Sequence, residues 1–69
     1  AIVAMLNFYE KLAISIEYGL ANENMLKDFF KGIICNTYNI LIDYIRLKRK
    51  EMDNQKIFEK FEGLAKKWA

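Results

Sequence analysis

A chain of 69 residues with one cysteine and no histidine has to hold itself together by packing, because the usual reinforcements of small domains are closed to it. Cys35 has no partner for an internal disulfide, and the Cys₂His₂, Cys₃His and Cys₄ zinc frameworks cannot be filled. A chain this short removes only about 60 % of its unfolded surface on folding, so its stability is marginal. The device left is association, with a second copy or with other parts of a longer polypeptide. Residues 1–69 make a single domain at most. The chain opens on alanine rather than methionine, and the expectation is a piece of something longer.

Composition narrows the architecture. Hydrophobic residues make up 54 % and charged residues 29 %, which places the chain among ordered globular domains. There is no proline and there are three glycines, so nothing in the chain obstructs long helices. The net charge of +2 is too small an excess to argue for nucleic acid by itself. A lone cysteine fits a reducing compartment. The longest uninterrupted apolar run, Ala1 to Leu6, is far short of the ~20 residues of a spanning helix, and no charged region followed by an apolar core marks a signal peptide.

Apolar spacing of three and four residues recurs along the whole chain. Ile2, Met5, Leu6, Tyr9, Leu12, Ala13, Ile16 and Leu20 predict a first helix, ended by Gly19 in a left-handed conformation with Leu20 folding back onto the last turn. Asn22 is the natural N-cap of a second helix, with Glu23 in its first turn and Met25, Leu26, Phe29 and Phe30 as its inner face. After Gly32 the pattern resumes, predicting a third helix over Ile33 to Glu51, joined to the second through a bend. Its polar stripe is Asn36, Asn39, Asp43, Arg46 and Lys50. Its apolar residues form two sets about 100° apart, Ile34, Tyr38, Leu41 and Ile45 against Ile33, Thr37, Ile40 and Tyr44. A helix with two apolar faces calls for cover on two sides. Asp53 then reads as the N-cap of a fourth helix, with Met52 stapled to Ile57 and a stripe of Ile57, Phe58, Phe61, Leu64, Ala65 and Trp68. The expected fold is all-α, a small bundle of three long helices and one short helix with the third in the centre.

The inventory for chemistry is nearly empty. With one serine (Ser15), one threonine (Thr37) and no histidine, neither a Ser–His–Asp nor a Cys–His arrangement can be built. Cys35 reads as a small packing residue. Glu59 and Glu62, at i and i+3, and Glu10 and Glu17, one heptad apart, lack the Glu-x-x-His partner of a di-iron bundle and read as solvated faces. The aromatic residues recur at helical spacing, as core residues do. No enzyme, cofactor or metal is expected. The basic run Arg46, Lys48, Arg49 and Lys50 ends the third helix, where cations favour the helix dipole. It is the one candidate for binding an anionic surface or nucleic acid. Against nucleic acid, the N-terminal part of that helix, Ile33, Ile34, Cys35 and Asn36, offers little to read a base.

Three segments carry a resemblance: Leu6-Asn7-Phe8-Tyr9-Glu10 with Leu12-Ala13, Gly32-Ile33-Ile34 leading to Tyr38, and Phe61-Glu62-Gly63-Leu64-Ala65-Lys66-Lys67-Trp68. In order and over nearly the whole chain, they resemble a bacterial and prophage family, the domain of unknown function forty-seven-sixty. Gly63 departs from the pattern, which has a large aromatic there. The resemblance implies a helical tail in the cytoplasm, tethered to the inner face of a membrane by an N-terminal helix of the longer chain. It implies no substrate and no catalytic residues.

An interaction or assembly role is therefore the expectation, with a homodimer or a docked segment of the longer chain as partner. The first candidate contact is Ile14 with Tyr18, one turn apart on the polar side of the first helix. The second is the other apolar face of the third helix, at Ile33, Ile40 and Tyr44.

Overall fold

The computed structural model describes every residue from Ala1 to Ala69, all of the regular structure being helical. It has three helices: α1 (Ile2–Glu17), α2 (Glu23–Glu51) and α3 (Glu59–Trp68). The all-α expectation holds. The count does not, because the expected second and third helices are one continuous helix of 29 residues. Gly32 lies inside it, and a single glycine weakens a helix by about 1 kcal/mol without breaking it. The strong apolar residues on either side, Phe30, Ile33 and Ile34, carry the helix through.

Helix ends explain the rest of the chain path. After α1, Gly19 takes φ +71°; its N–H donates to the Ile16 carbonyl at 3.1 Å and that of Leu20 to the Ser15 carbonyl at 2.8 Å. This is the paired bonding of a left-handed cap, as expected at Gly19. Leu20, however, stays exposed instead of folding back. The Asn22 side chain accepts from the Met25 N–H at 3.0 Å, starting α2 as the sequence predicts.

At the far end the same cap recurs with an aspartate in the glycine position. Asp53 has φ 49°, its N–H donates to the Lys50 carbonyl at 3.3 Å, and the Asn54 N–H donates to the Arg49 carbonyl at 2.9 Å. Asp53 therefore closes α2 and does not cap a following helix. Aspartate is among the few residues that tolerate this conformation. Met52, expected to staple onto Ile57, is exposed at the end of α2. A turn over residues 54–58 follows, with the Asn54 side chain accepting from the Lys56 N–H at 2.9 Å, and α3 starts only at Glu59.

The centre of the bundle is α3, not the expected third helix. Short as it is, it packs against both α1 and α2, which scarcely touch one another. Its Phe61, Leu64, Ala65 and Trp68 are buried among Leu6, Tyr9 and Ala13 of α1 and Ile34 and Ile45 of α2. Phe61 is gripped from both sides, stacked on Tyr9 at 5.6 Å and edge-on to Tyr38 at 6.0 Å between ring centroids. With α3 filling the middle, α2 is covered along one face only.

The start of α3 depends on α1. Phe58, at its N-cap, sits at φ 57° and offers no capping side chain. Glu10 supplies the missing acceptor from across the bundle, taking the N–H groups of Lys60 at 3.2 Å and Phe61 at 2.7 Å. These are two of the donors that every helix leaves unpaired at its start.

Two outcomes follow for stability. A Cβ added at Gly32 would meet nothing within 4 Å, so Gly32→Ala should raise stability by about 0.5–1 kcal/mol, whereas Gly19→Ala should lower it because of the positive φ. Glu10→Ala should lower stability by about 1–2 kcal/mol, with Glu10→Gln recovering part of the loss. Urea unfolding followed by far-UV circular dichroism measures all four.

Candidate interaction surface

Three of the four carboxylates weighed for chemistry are engaged in holding α3. Glu62 faces α2, where its carboxylate accepts from the Tyr38 hydroxyl at 2.6 Å and from Arg49 Nη2 at 3.2 Å. The Arg49 guanidinium is buried, and its Nε also donates to the Ile57 carbonyl at 2.9 Å, tying down the turn before α3. At the other end Glu23 accepts from the Trp68 indole N–H and from Lys67 Nζ, both at 3.0 Å. Glu17 pairs with Lys60 at 2.9 Å. Cys35 is half-buried against α3, its thiol 3.6 Å from the Ala65 carbonyl. Glu10, Glu17 and Glu62, read from sequence as solvated, thus all carry tertiary bonds, while Glu59 is exposed. No cluster of three metal-ligating side chains forms.

The charge states of this network suit structure. Burial, reinforced by the bond to Glu62, pushes the Tyr38 hydroxyl up to about 12. The same hydroxyl, with Arg49 beside it, holds Glu62 below the usual carboxylate range. The Trp68 indole, followed by Lys67, does the same for Glu23. At neutral pH the phenol is protonated and the carboxylates are ionised, so each donor meets an acceptor and none is poised to exchange a proton.

The basic run does not converge. Arg49 is withdrawn into the bundle. Arg46 lies 3.9 Å from Asp43, and Lys48 lies 3.8 Å from Glu51 with its ammonium 5.7 Å from the centre of the Tyr44 ring. Lys50 points outward. Of four cations in sequence two are exposed, Arg46 and Lys50, and Lys48 is half-buried between them; Arg46 and Lys48 lie beside carboxylates.

The two candidate contacts fare differently. Ile14 is half-buried and Tyr18 is exposed beyond the last turn of α1, where the backbone has left helical geometry (ψ 7°). On α2, by contrast, Ile33 and Ile40 are 47 % and 75 % exposed, and Phe29 and Leu47, at 72 % and 54 %, lie on the same side. Tyr44 is half-buried beside them. Met25 and Phe29, expected on the inner face of a separate second helix, are exposed, and Leu26 and Phe30 turn inward instead. Leu26, Ile33, Ile40 and Leu47 are spaced seven apart. That period runs through Gly32 and was the signal that a break there conceals.

Two concavities exist besides, the smaller a pocket of about 170 Å³ against Cys35, Tyr38 and Ala65. An open groove of about 590 Å³ lies over Gly63, floored by Ala13, Ile16 and Leu64 and rimmed by the Glu17–Lys60 and Glu23–Lys67 pairs. A Cβ at Gly63 would meet nothing within 4 Å, so the space is one that a larger residue would fill. Its rim charges already neutralise one another.

The network sets a pH window. Glu62 and Glu23, with lowered values, stabilise fully above the ordinary 4.5, and their contribution is lost as pH falls through the depressed values. Tyr38, with a raised value, stabilises fully below the ordinary 10 and loses its contribution as pH rises towards 12. Urea midpoints should form a plateau between these limits and fall on both sides. Lys60, raised by Glu17, adds to the alkaline fall, so Tyr38→Phe should flatten only part of that limb, while costing about 1–2 kcal/mol at neutral pH.

No helix of this chain is long and apolar enough to cross a membrane. Among known proteins, the model of the family described as Domain of unknown function (DUF4760) matches residues 1–68. No curated protein and no solved structure matches the chain. On a match that leaves out only Ala69, the chain belongs to the DUF4760 family.

Proposed function

We propose that this domain is a non-catalytic interaction module, and that its docking face is the outer side of α2. The observation that carries the reading is the line of Phe29, Ile33, Ile40 and Leu47, four large apolar side chains each about half or more exposed on one helix. Single exposed hydrophobes are ordinary, but a contiguous apolar strip on the order of 500 Å² is at the scale that marks interaction sites. A small domain gains most from covering it. Of the carboxylates that a catalytic reading would draw on, Glu10, Glu17 and Glu62 are bonded into the bundle instead. The family resemblance supports a cytoplasmic setting, at the inner face of a membrane where the longer chain carries a tether. The partner is a second copy or a segment of that longer chain.

The competing reading is electrostatic, with Arg46, Lys48 and Lys50 binding an anionic surface or nucleic acid. The two separate cleanly. An apolar-surface dye should fluoresce with the dilute wild-type domain and lose most of that signal in the Phe29→Ser, Ile40→Ser, Leu47→Ser variant. Helicity should be retained, because these side chains stand outside the core. Binding to duplex DNA or to anionic vesicles that weakens steeply with salt, and that the triple variant keeps, would replace this reading by the electrostatic one.

A further inference from the structure

α3 sits in the bundle as a separate piece would sit in a cleft. It wedges between α1 and α2, which scarcely touch one another, and its Phe61 and Trp68 are fully buried there. The polar bonds that hold it run to the other two helices. Glu10 takes its first free N–H groups, Glu17 pairs with Lys60, Glu23 takes Lys67 and the Trp68 indole, and Tyr38 and Arg49 donate to Glu62. None of these bonds requires that α3 belong to the same molecule. An α3 brought by a second copy makes each of them unchanged.

The connection alone decides whose α3 fills the cleft. Residues 52–58 join α2 to α3, and those from Met52 to Lys56 are exposed. Asp53 at φ 49° and Phe58 at φ 57° hold the turn in the left-handed region, where a bulky side chain is strained. The residue types do not demand this reversal. Neither proline nor glycine stands between Ile33 and Glu62, so the chain can run on from α2 as helix. Opening the turn releases both left-handed residues. It gives up the partial burial of Phe58 and two side-chain bonds, Asn54 with the Lys56 N–H and Arg49 with the Ile57 carbonyl.

We propose that α3 exchanges between copies of this chain: in a dimer each α1–α2 cleft holds the α3 of the other copy, with residues 52–58 as the hinge. Exchange of an identical element is a low-cost route to a dimer, because the closed monomer and the exchanged dimer share their contacts. Only the hinge and the protein concentration separate the two, and a short hinge under strain favours the exchanged form. The interface is the core of the domain itself. It owes nothing to the outer side of α2, so it stands or falls apart from the docking face above.

The test takes the whole chain, at high protein concentration, through the midpoint of urea unfolding and back into buffer. Sedimentation should then show a dimer, and the Phe29→Ser, Ile40→Ser, Leu47→Ser variant should form it equally well. Cys35 and Ala69 line the same small pocket, so oxidation of the Ala69→Cys variant ties α3 to whichever α2 it is seated on. In the exchanged dimer that bond joins two chains, giving a covalent dimer on a non-reducing gel. The hinge reads out without a crosslink. Asp53→Gly, which suits the closed turn, should lower the association constant about tenfold, and Asp53→Ala should raise it. A chain that stays monomeric throughout overturns the proposal, and so does a dimer whose Cys35 bond stays within each chain. A dimer lost in the triple serine variant belongs to the outer side of α2 and also overturns it. Indifference to both Asp53 variants overturns the hinge.

Discussion

Everything in this fold hangs on the seating of a ten-residue helix that has no means of starting itself. Isolated helices shorter than about 12–15 residues are marginal in water, and α3 also lacks a capping side chain, with Phe58 at a left-handed N-cap. Glu10 of α1 supplies that cap, while Glu62 of α3 fastens to Tyr38 and Arg49 of α2. Phe61 lies beside both attachments, stacked on Tyr9 of α1 and edge-on to Tyr38 of α2. Remove α3 and the two long helices have almost no contact left. Carboxylates that hold a short amphipathic helix, Glu10 and Glu62 in its first half and Glu23 at Trp68, thus turn two helices and a turn into one domain.

The same seating creates the exposed face. A helix of ten residues can cover only so much of one with 29, and α1 is committed to α3 rather than to α2. The outer side of α2 is left bare because of how the core was assembled. An apolar strip bare by construction, on a chain too small to gain much from its own core, is the physical basis for reading the domain as one component of an assembly. The strain of Phe58 and Asp53, both at positive φ, belongs to the same arrangement: the chain must reverse tightly after α2 for α3 to turn back into the bundle.

Local features were legible where the chemistry is local. The left-handed turn at Gly19 and the Asn22 cap are decided by residues within one turn of each other, and both stand as the sequence predicts. Gly32 and Asp53 misled because each has two local readings. A glycine ends a helix only when the residues after it do not continue the period, and here Ile33, Ile34 and Tyr38 do. An aspartate is a good N-cap and also one of the few side chains that tolerates a left-handed C-terminal turn. Which role it takes depends on where the next helix can pack.

What the sequence by itself determined is the helical class, the absence of any disulfide or zinc framework, and the amphipathic stripe of Phe61, Leu64, Ala65 and Trp68. These follow from residue types and from periodicity, which act over a few residues. Only the tertiary structure decided that α3 is central, that Arg49 is a buried strut instead of an exposed cation, and that Glu10 caps a helix some fifty residues away. The reason is that burial is shared. Both faces of α2 are apolar in sequence, and which one is covered is settled by the single short helix available to cover it.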